Sequence, residues 1–287
     1  MTINWFPGHM NKARREIAVA MRQTDVVIEV LDARLPEASA NPMLAELRDD
    51  RPCLRVLAKA DLADPAVTDR WVARMNAQPG IRAVAIRATE RREVQRIPGL
   101  CRDLVPGRRG PGKPVRALVV GIPNVGKSTL INTLKGRRVA EVADRPAVTR
   151  RRQRVDLDLG FTLSDTPGVL WPKLEDQTAA HCLAASGGIG EAAFDAFDVA
   201  YFALDFLRER YPEILTGRYK LDALDGEPHQ LLEGIARARG LMQRGGKLDL
   251  DRAADLFLRE LRGGKLGRIS FERPEDTAAE RAQEERS

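Results

Sequence analysis

An α/β fold, with helices on both faces of a mostly parallel sheet and an all-α region after it, is what this 287-residue sequence predicts. Three observations predict it. Helical and strand patterns alternate from residue 12 to Asp165, a glycine-rich phosphate loop sits between one strand and the next helix, and from about Leu174 only helical patterns remain.

The elements follow in order. "KARREIAVAMRQ", residues 12–23, places Ile17, Ala20 and Met21 on one helical face, and "DVVIEVLDA" after it is an apolar run of strand length. "NPMLAELRD" opens on Asn41 as N-cap with Pro42 at the first helical position, and "DPAVTDRWVARMNA" repeats that start with Asp64 and Pro65. Strands "PCLRVLAK" and "IRAVAI" flank the second of these helices, and a helical "REVQRIPGLCRDL" follows. "VPGRRGPGKPV", residues 105–115, reads as an exposed connector. Beyond it come strand "VRALVVGI", a loop, helix "TLINTLKG" and strands near "RVDLDLG" and "FTLSD".

From there the patterns are helical: "LEDQTAAHCLAAS", "EAAFDAFDVAYFALDFLRERY", "EPHQLLEGIARARG" and "DLDRAADLFLRELRGG". The expected division is residues 1–173, a helical region 174–272, and a disordered tail 273–287 that lacks apolar content. The aromatics of 194–206 follow a helical apolar pattern and read as core.

Lys and Arg outnumber Asp and Glu by 47 to 41, and "RRR" at 150–152 concentrates the excess, a balance that favours a polyanionic partner, with RNA or DNA first. Three cysteines without metal-ligand spacing suggest neither a disulfide framework nor a zinc site. No stretch has the apolar length of a membrane span and the first residues lack an apolar signal core, so a soluble cytoplasmic protein is expected.

"GIPNVGKST", Gly121–Thr129, is a complete G-x-x-x-x-G-K-[ST] between a predicted strand and a predicted helix. The backbone of Asn124, Val125, Gly126, Lys127, Ser128 and Thr129 would cradle phosphates, Lys127 would bridge the β- and γ-phosphates, and Ser128 would ligate Mg²⁺. Asp165 and Gly168 of "DTPG" fit a strand-end switch, Asp165 toward Mg²⁺ and the Gly168 amide toward the γ-phosphate, while Thr149 in "DRPAVT" fits a second Mg²⁺ hydroxyl. Such switches need a base reader. None follows Gly168, but upstream Ala58-Lys59-Ala60-Asp61 ends a strand, and Ala88 at the end of the next strand can offer its amide to guanine O6. In a parallel sheet the spatial order of strand ends matters, so a circular permutation preserves such a site.

In "WFPGHMNKARRE", "DARLPEASANP", "AKADLAD", "GIPNVGKSTLIN", "DRPAVT", "DTPGVLWPK" and "GRISFE", the sequence resembles the circularly permuted P-loop GTPases, and within them the ribosome biogenesis GTPase A (RbgA/YlqF) family, over nearly its whole length. The resemblance implies a GTP hydrolase that acts late in assembly of the large ribosomal subunit, with the helical region helping to bind ribosomal RNA and the precursor particle. One position departs from it: the family reader is Asn-Lys-Ala-Asp, and here Ala58 stands for the Asn. Asp61 still has two guanine donors to accept from, at N1 and N2, so a preference for GTP over ATP with reduced affinity is expected.

Val169 follows the switch glycine, where Ras-like enzymes carry a water-orienting Gln. Residue type leaves His9, one of three histidines, open between that task and a capping or surface role. The resemblance implies that His9 is the catalytic residue, with Lys127 beside it in the phosphate site. Asn124 reads either as a turn residue or as a K⁺ ligand of the kind found in cation-stimulated GTPases. Lys12, Arg14, Arg15, Arg150–Arg152, "RARGLMQRGGK" and "RELRGGKLGR" would meet RNA phosphates, and a monomer is expected. Two other classes fit less: a nucleotide-dependent RNA-binding scaffold with little hydrolysis, and a P-loop ATPase or kinase in which Asp61 is incidental.

Overall fold

A computed structural model describes residues 10–108, 114–136, 153–157, 160–166, 176–221 and 223–276. The expected alternation is there: α1 (Met10–Met21), β1 (Val26–Asp32), α2 (Pro42–Arg48), β2 (Cys53–Ala58), α3 (Pro65–Asn76), β3 (Ile81–Ala85), α4 (Arg91–Val94), α5 (Ile97–Leu104), β4 (Val115–Val120), α6 (Lys127–Lys135), β5 (Gln153–Leu157) and β6 (Phe161–Asp165). Among the described residues five helices follow: α7 (Gln177–Ser186), α8 (Ala196–Arg210), α9 (Pro212–Tyr219), α10 (Pro228–Ala238) and α11 (Leu250–Arg262).

The six strands form one sheet in the order β3-β2-β1-β4-β6-β5, parallel except that β5 runs antiparallel to β6. The phosphate-loop strand β4 is therefore central although it comes fourth in sequence. Strands β1 to β3, whose ends carry the reader, lie on one side of it, and β6, which leads into the switch, lies on the other. That is the strand arrangement of a GTPase domain threaded in permuted order. Strand β1 is buried at every residue, as a central parallel strand covered on both faces should be.

Local chemistry explains the helix starts. Asn41 accepts from the Met43 amide and Asp64 from those of Ala66 and Val67, each with proline at the first helical position, where a missing N–H costs nothing. The predicted helix over 92–104 is instead two, because Pro98 near the start of α5 cannot donate to the turn before it. Helix α9 was absent from the sequence reading; it is short, holds Gly217, and buries only Leu215 and Tyr219.

One face of the sheet is closed by α1, whose Ile17, Ala20 and Met21 pack with Val27, Leu44, Cys53, Leu118 and Val120. Burying a side chain such as Ile17 contributes roughly 1.5–3 kcal/mol of transfer free energy. On the other face a continuous core runs from Ile28, Val30, Val119 and Leu163 through α5 and α6 into α7, α8, α10 and α11. The helices after the sheet thus share its core. The expected boundary at 173 lies outside the described residues. In α8 the fully buried positions are Val199, Ala200, Ala203, Leu204 and Leu207, while Phe197, Tyr201, Phe202 and Phe206 are half-buried against that core, a more peripheral place than the sequence pattern implied.

After α11 the chain returns to the sheet edge. The Ile269 amide donates to Leu62 O at 2.9 Å, the Phe271 amide donates to Arg34 O at 2.7 Å, and the Glu272 carboxylate accepts from the Glu37 and Ala38 amides. Residues 273–276, expected to begin the disordered tail, continue this docking: Arg74 donates to Pro274 O, and Glu275 pairs with Arg70 at 2.7 Å. Residues 277–287 lie outside the described residues.

Candidate nucleotide site

The phosphate loop turns off the end of β4 at Gly121, whose φ of +147° is open to glycine and whose added Cβ would lie 2.5 Å from Val30 O. Asn124 has φ +59° and Gly126 φ +106°, left-handed turns of the kind from which backbone nests for anions are made, and α6 begins at Lys127. Val125 is buried beneath the loop, and Ser128 and Thr129 are half-buried in the first turn of α6. Lys127 is buried, and its ammonium donates to Ile122 O at 2.6 Å, inside the ring that its own loop makes. A helix N-terminus, left-handed turns and a lysine within one loop are the elements from which an anion site for a polyphosphate is built.

The reader is brought to the same place. A Cβ built on Gly126 would lie 3.7 Å from the Cβ of Ala58 and 3.9 Å from that of Ala88, so the ends of β2 and β3 abut the phosphate loop. Lys59 has φ +59°, the Ala60 amide donates to Ile86 O at 3.2 Å, and Asp61 is exposed at the rim. Arg87 is turned to Glu93: its Nη2 and Nε bond Oε1 at 2.6 and 2.9 Å, and its amide bonds Oε2 at 2.7 Å. Although burial opposes it, Arg87's bonds and charge hold the Glu93 carboxyl below its ordinary value. Glu93 thereby fixes the segment that presents the Ala88 amide, a role no local motif announced.

Strand β6 puts Asp165 beside the phosphate-loop strand, in register with Val119, and the next residue, Thr166, donates its hydroxyl to Val119 O at 2.8 Å. The switch therefore starts from a buried anchor on β4. His9, Thr149, Arg150–Arg152, Gly168 and Val169 lie outside the described residues. His181 bonds Gln177 O through Nδ1 and lies 5.1 Å from the Phe202 ring.

Behind the reader is a cluster that sequence reasoning assigned no role. Asp32, at the end of β1, is fully buried and accepts from Arg34 Nε at 3.0 Å, Arg34 Nη2 at 2.8 Å and Lys59 Nζ at 2.9 Å. Burial works to raise its pKa, yet the two cations outweigh that and hold the carboxyl far below the ordinary range. Arg34 Nη2 also donates to Ser186 O at 2.9 Å, and Asn124 Nδ2 donates to Gly187 O at 3.0 Å. Reader and phosphate loop thus both end on the C-terminus of α7.

The basic segments of the helical region divide into two sets. Arg239 and Arg262 are used inside the fold, on Glu260 and on Glu191 with the Ala184 and Ala185 carbonyls. Arg237, Arg244, Lys247, Arg259, Lys265 and Arg268 are exposed. Arg14 pairs with Glu46 at 3.0 Å on an exposed surface, a contact worth under about 1 kcal/mol. No described helix is long and apolar enough to cross a membrane.

Comparison with known proteins agrees with this geometry. Residues 116–231 match the family model described as 50S ribosome-binding GTPase, a span that holds the phosphate loop but leaves out Lys59 and Asp61. The chain is 44% identical to ribosome biogenesis GTPase A of Bacillus cereus, over 96% of this chain and 95% of that one. It is 35% identical to the protein of the same name from Thermotoga maritima, over 96% and 95%. Among solved structures, a GDP-bound YlqF superposes with a TM-score of 0.68 at 29% identity, covering 91% of this chain and all of the other. A GNP-bound YlqF from Thermotoga maritima gives 0.65 at 32% identity, covering 92% and 99%.

Proposed function

The chain belongs to the ribosome biogenesis GTPase A family, and from that premise we propose that it is a GTP hydrolase working as a switch in late assembly of the large ribosomal subunit in the cytoplasm, as a monomer that binds ribosomal RNA and precursor particles. One observation carries the reading of this chain's own residues: Ala58, Ala88 and Gly126 abut, so Lys59, Asp61 and the Ala88 amide share a sheet edge with the phosphate loop. A nucleoside triphosphate on Lys127 and the α6 amides then has its base at Asp61, whose carboxylate accepts two bonds from guanine. Leaving that carboxylate unmatched, as adenine would, costs about 1–3 kcal/mol.

Mg²⁺ fits this site. The donor set suits it: the Ser128 hydroxyl in the first turn of α6 and Asp165 at the end of β6, beside the phosphate-loop strand, are hard oxygen ligands. Ser128 and Asp165 would hold it, with Thr149 in the triphosphate state, and the ion would supply positive charge to the phosphates. The chain's own groups do the rest. Lys127 and the loop amides stabilise the charge that develops at the bridging oxygen. Asn124, fixed through its Nδ2 by Gly187, would hold K⁺ and so bring positive charge to the phosphates. His9, directly before α1, orients the attacking water in the place that Val169 leaves without a polar side chain. Gly168 meets the γ-phosphate, and because the switch runs into α7, its loss is felt in the helices that carry the exposed Arg and Lys set.

Turnover of GTP and ATP, with and without large ribosomal subunits, tests the proposal. GTP hydrolysis stimulated by subunits, faster in K⁺ than in Na⁺, and lost in His9→Ala while GDP binding survives, is expected. Equal use of ATP, or stimulated turnover intact in His9→Ala, refutes the respective part.

A further inference from the structure

Ala58 brings a methyl and no hydrogen-bonding side chain toward the phosphate loop, so something else must hold the reader in shape. Lys59 needs holding, because a left-handed backbone costs a non-glycine residue on the order of 1–3 kcal/mol and persists only where its surroundings impose it. Three backbone bonds surround it: Ala33 N to Ala58 O at 2.8 Å, Ala60 N to Ile86 O and Leu62 N to Lys59 O at 2.9 Å. The side-chain anchor is Asp32. Its carboxylate is 4% exposed, its own amide donates to Ser39 Oγ at 3.0 Å, and Arg34, 2% exposed, grips both of its oxygens. A buried carboxylate with fixed partners is a rigid post, and Lys59 Nζ at 2.9 Å is moored to it.

Resting on the guanine-site reading above, we propose that Asp32 and Arg34 are positioning residues for base recognition: they moor Lys59, and through it Asp61, in the base-reading conformation and tie that conformation to the C-terminal end of α7. The tie is the Arg34 bond to Ser186 O, one residue from the carbonyl that Asn124 of the phosphate loop holds. The end of α7 is itself finely set, with Gly187 at φ +84° and the Gly188 amide on Leu183 O at 2.7 Å. A base held at Asp61 therefore stiffens the end of α7 by a route that bypasses the γ-phosphate.

The test uses the full chain with GDP and inosine diphosphate (IDP), which differ by the 2-amino group that only a placed Asp61 can detect. In the parent, GDP should bind at least tenfold tighter than IDP, and in Asp32→Asn that ratio should fall below threefold while IDP affinity changes little. A general loss of folding would instead weaken both nucleotides together. Should Asp32→Asn not fold, Lys59→Met keeps the stem, removes the ammonium and should collapse the same ratio. Hydrogen exchange at residues 187–189 should slow on GDP binding in the parent and not in the variants. A parent that binds no GDP sinks the guanine reading itself; a parent that discriminates, with variants that keep its ratio and its exchange pattern, overturns the positioning role alone.

Discussion

Two buried carboxylates, Asp32 in the sheet half and Glu260 in the helical half, are built from the same chemistry and put to different ends. Asp32 holds Arg34 and Lys59, and Glu260 holds Arg218 at 2.6 Å, Arg239 at 3.2 Å and the Tyr219 hydroxyl at 3.0 Å. The partners of Asp32 lie on loops at the C-terminal edge of parallel strands, and one of them, Lys59, is two residues from the proposed base contact at Asp61. The partners of Glu260 lie on α9 and at the end of α10, and the cluster pins both to α11. A buried ion cluster thus says little about role by itself; the element that carries its partners decides whether it shapes a site or closes a core.

If that division is right, damage at the strand edge should remove activity without unfolding, and damage at Glu260 should do the reverse. The largest effect is expected for Lys127→Ala, which takes the one buried cation out of the phosphate loop and should lower GTP turnover by about 10²- to 10³-fold. Its thermal midpoint should stay within a few degrees of the parent's; a large fall in both would erase the contrast. Next comes Glu260→Ala. It leaves the Tyr219 hydroxyl buried without this acceptor and two arginines without their partner, although Arg218 is about a third exposed and regains some solvation. Destabilisation of about 2–4 kcal/mol in urea is expected, with GDP affinity changed by less than threefold. A tenfold loss of affinity would mean that the bundle reaches the base site by a route the contacts do not reveal.

The two halves also differ in how much of them could be read from sequence. The phosphate loop was legible because its physics is local: glycines, lysine and hydroxyls fall within Gly121–Thr129, and the φ values at Gly121 and Gly126 are those the motif requires. The reader was legible for the same reason, as four residues at a strand end. Asp32 and Arg34 stand in the motif DARLPEASANP, yet the motif gave them no role, since Lys59 lies 27 residues from Asp32 and Ser186 lies 152 from Arg34. Only the sheet order brings them together. Glu93 escaped because it reads as an ordinary polar residue of a short helix until its three bonds to Arg87 are seen. In the bundle, Arg239 and Arg262 looked like phosphate-binding cations, because charge runs do not say which members have buried carboxylate or carbonyl partners. Helix α9 was lost to Gly217 and a weak apolar face.

Acid titration gives the smallest and finest test of the comparison. Both carboxyls are held below their ordinary values. For Asp32, burial alone would raise the pKa and the pull of Arg34 and Lys59 reverses it by a wide margin; for Glu260, the Arg218 bond leads and burial opposes it. A carboxyl depressed in the fold stabilises the native state above its unfolded pKa, roughly 3.9 for Asp and 4.3 for Glu, and that contribution drains away as pH falls toward the folded value. Stability should therefore be flat in these two groups near neutrality and begin to decline below about pH 4–4.5. Glu260 starts from the higher reference and is depressed less, so it should take up its proton first, and the bundle should loosen while the base-reading edge is still charged. Carboxyl shifts followed by NMR between pH 5 and the onset of unfolding would show that order; Asp32 titrating before Glu260 would mean that Lys59 is not moored to it in solution.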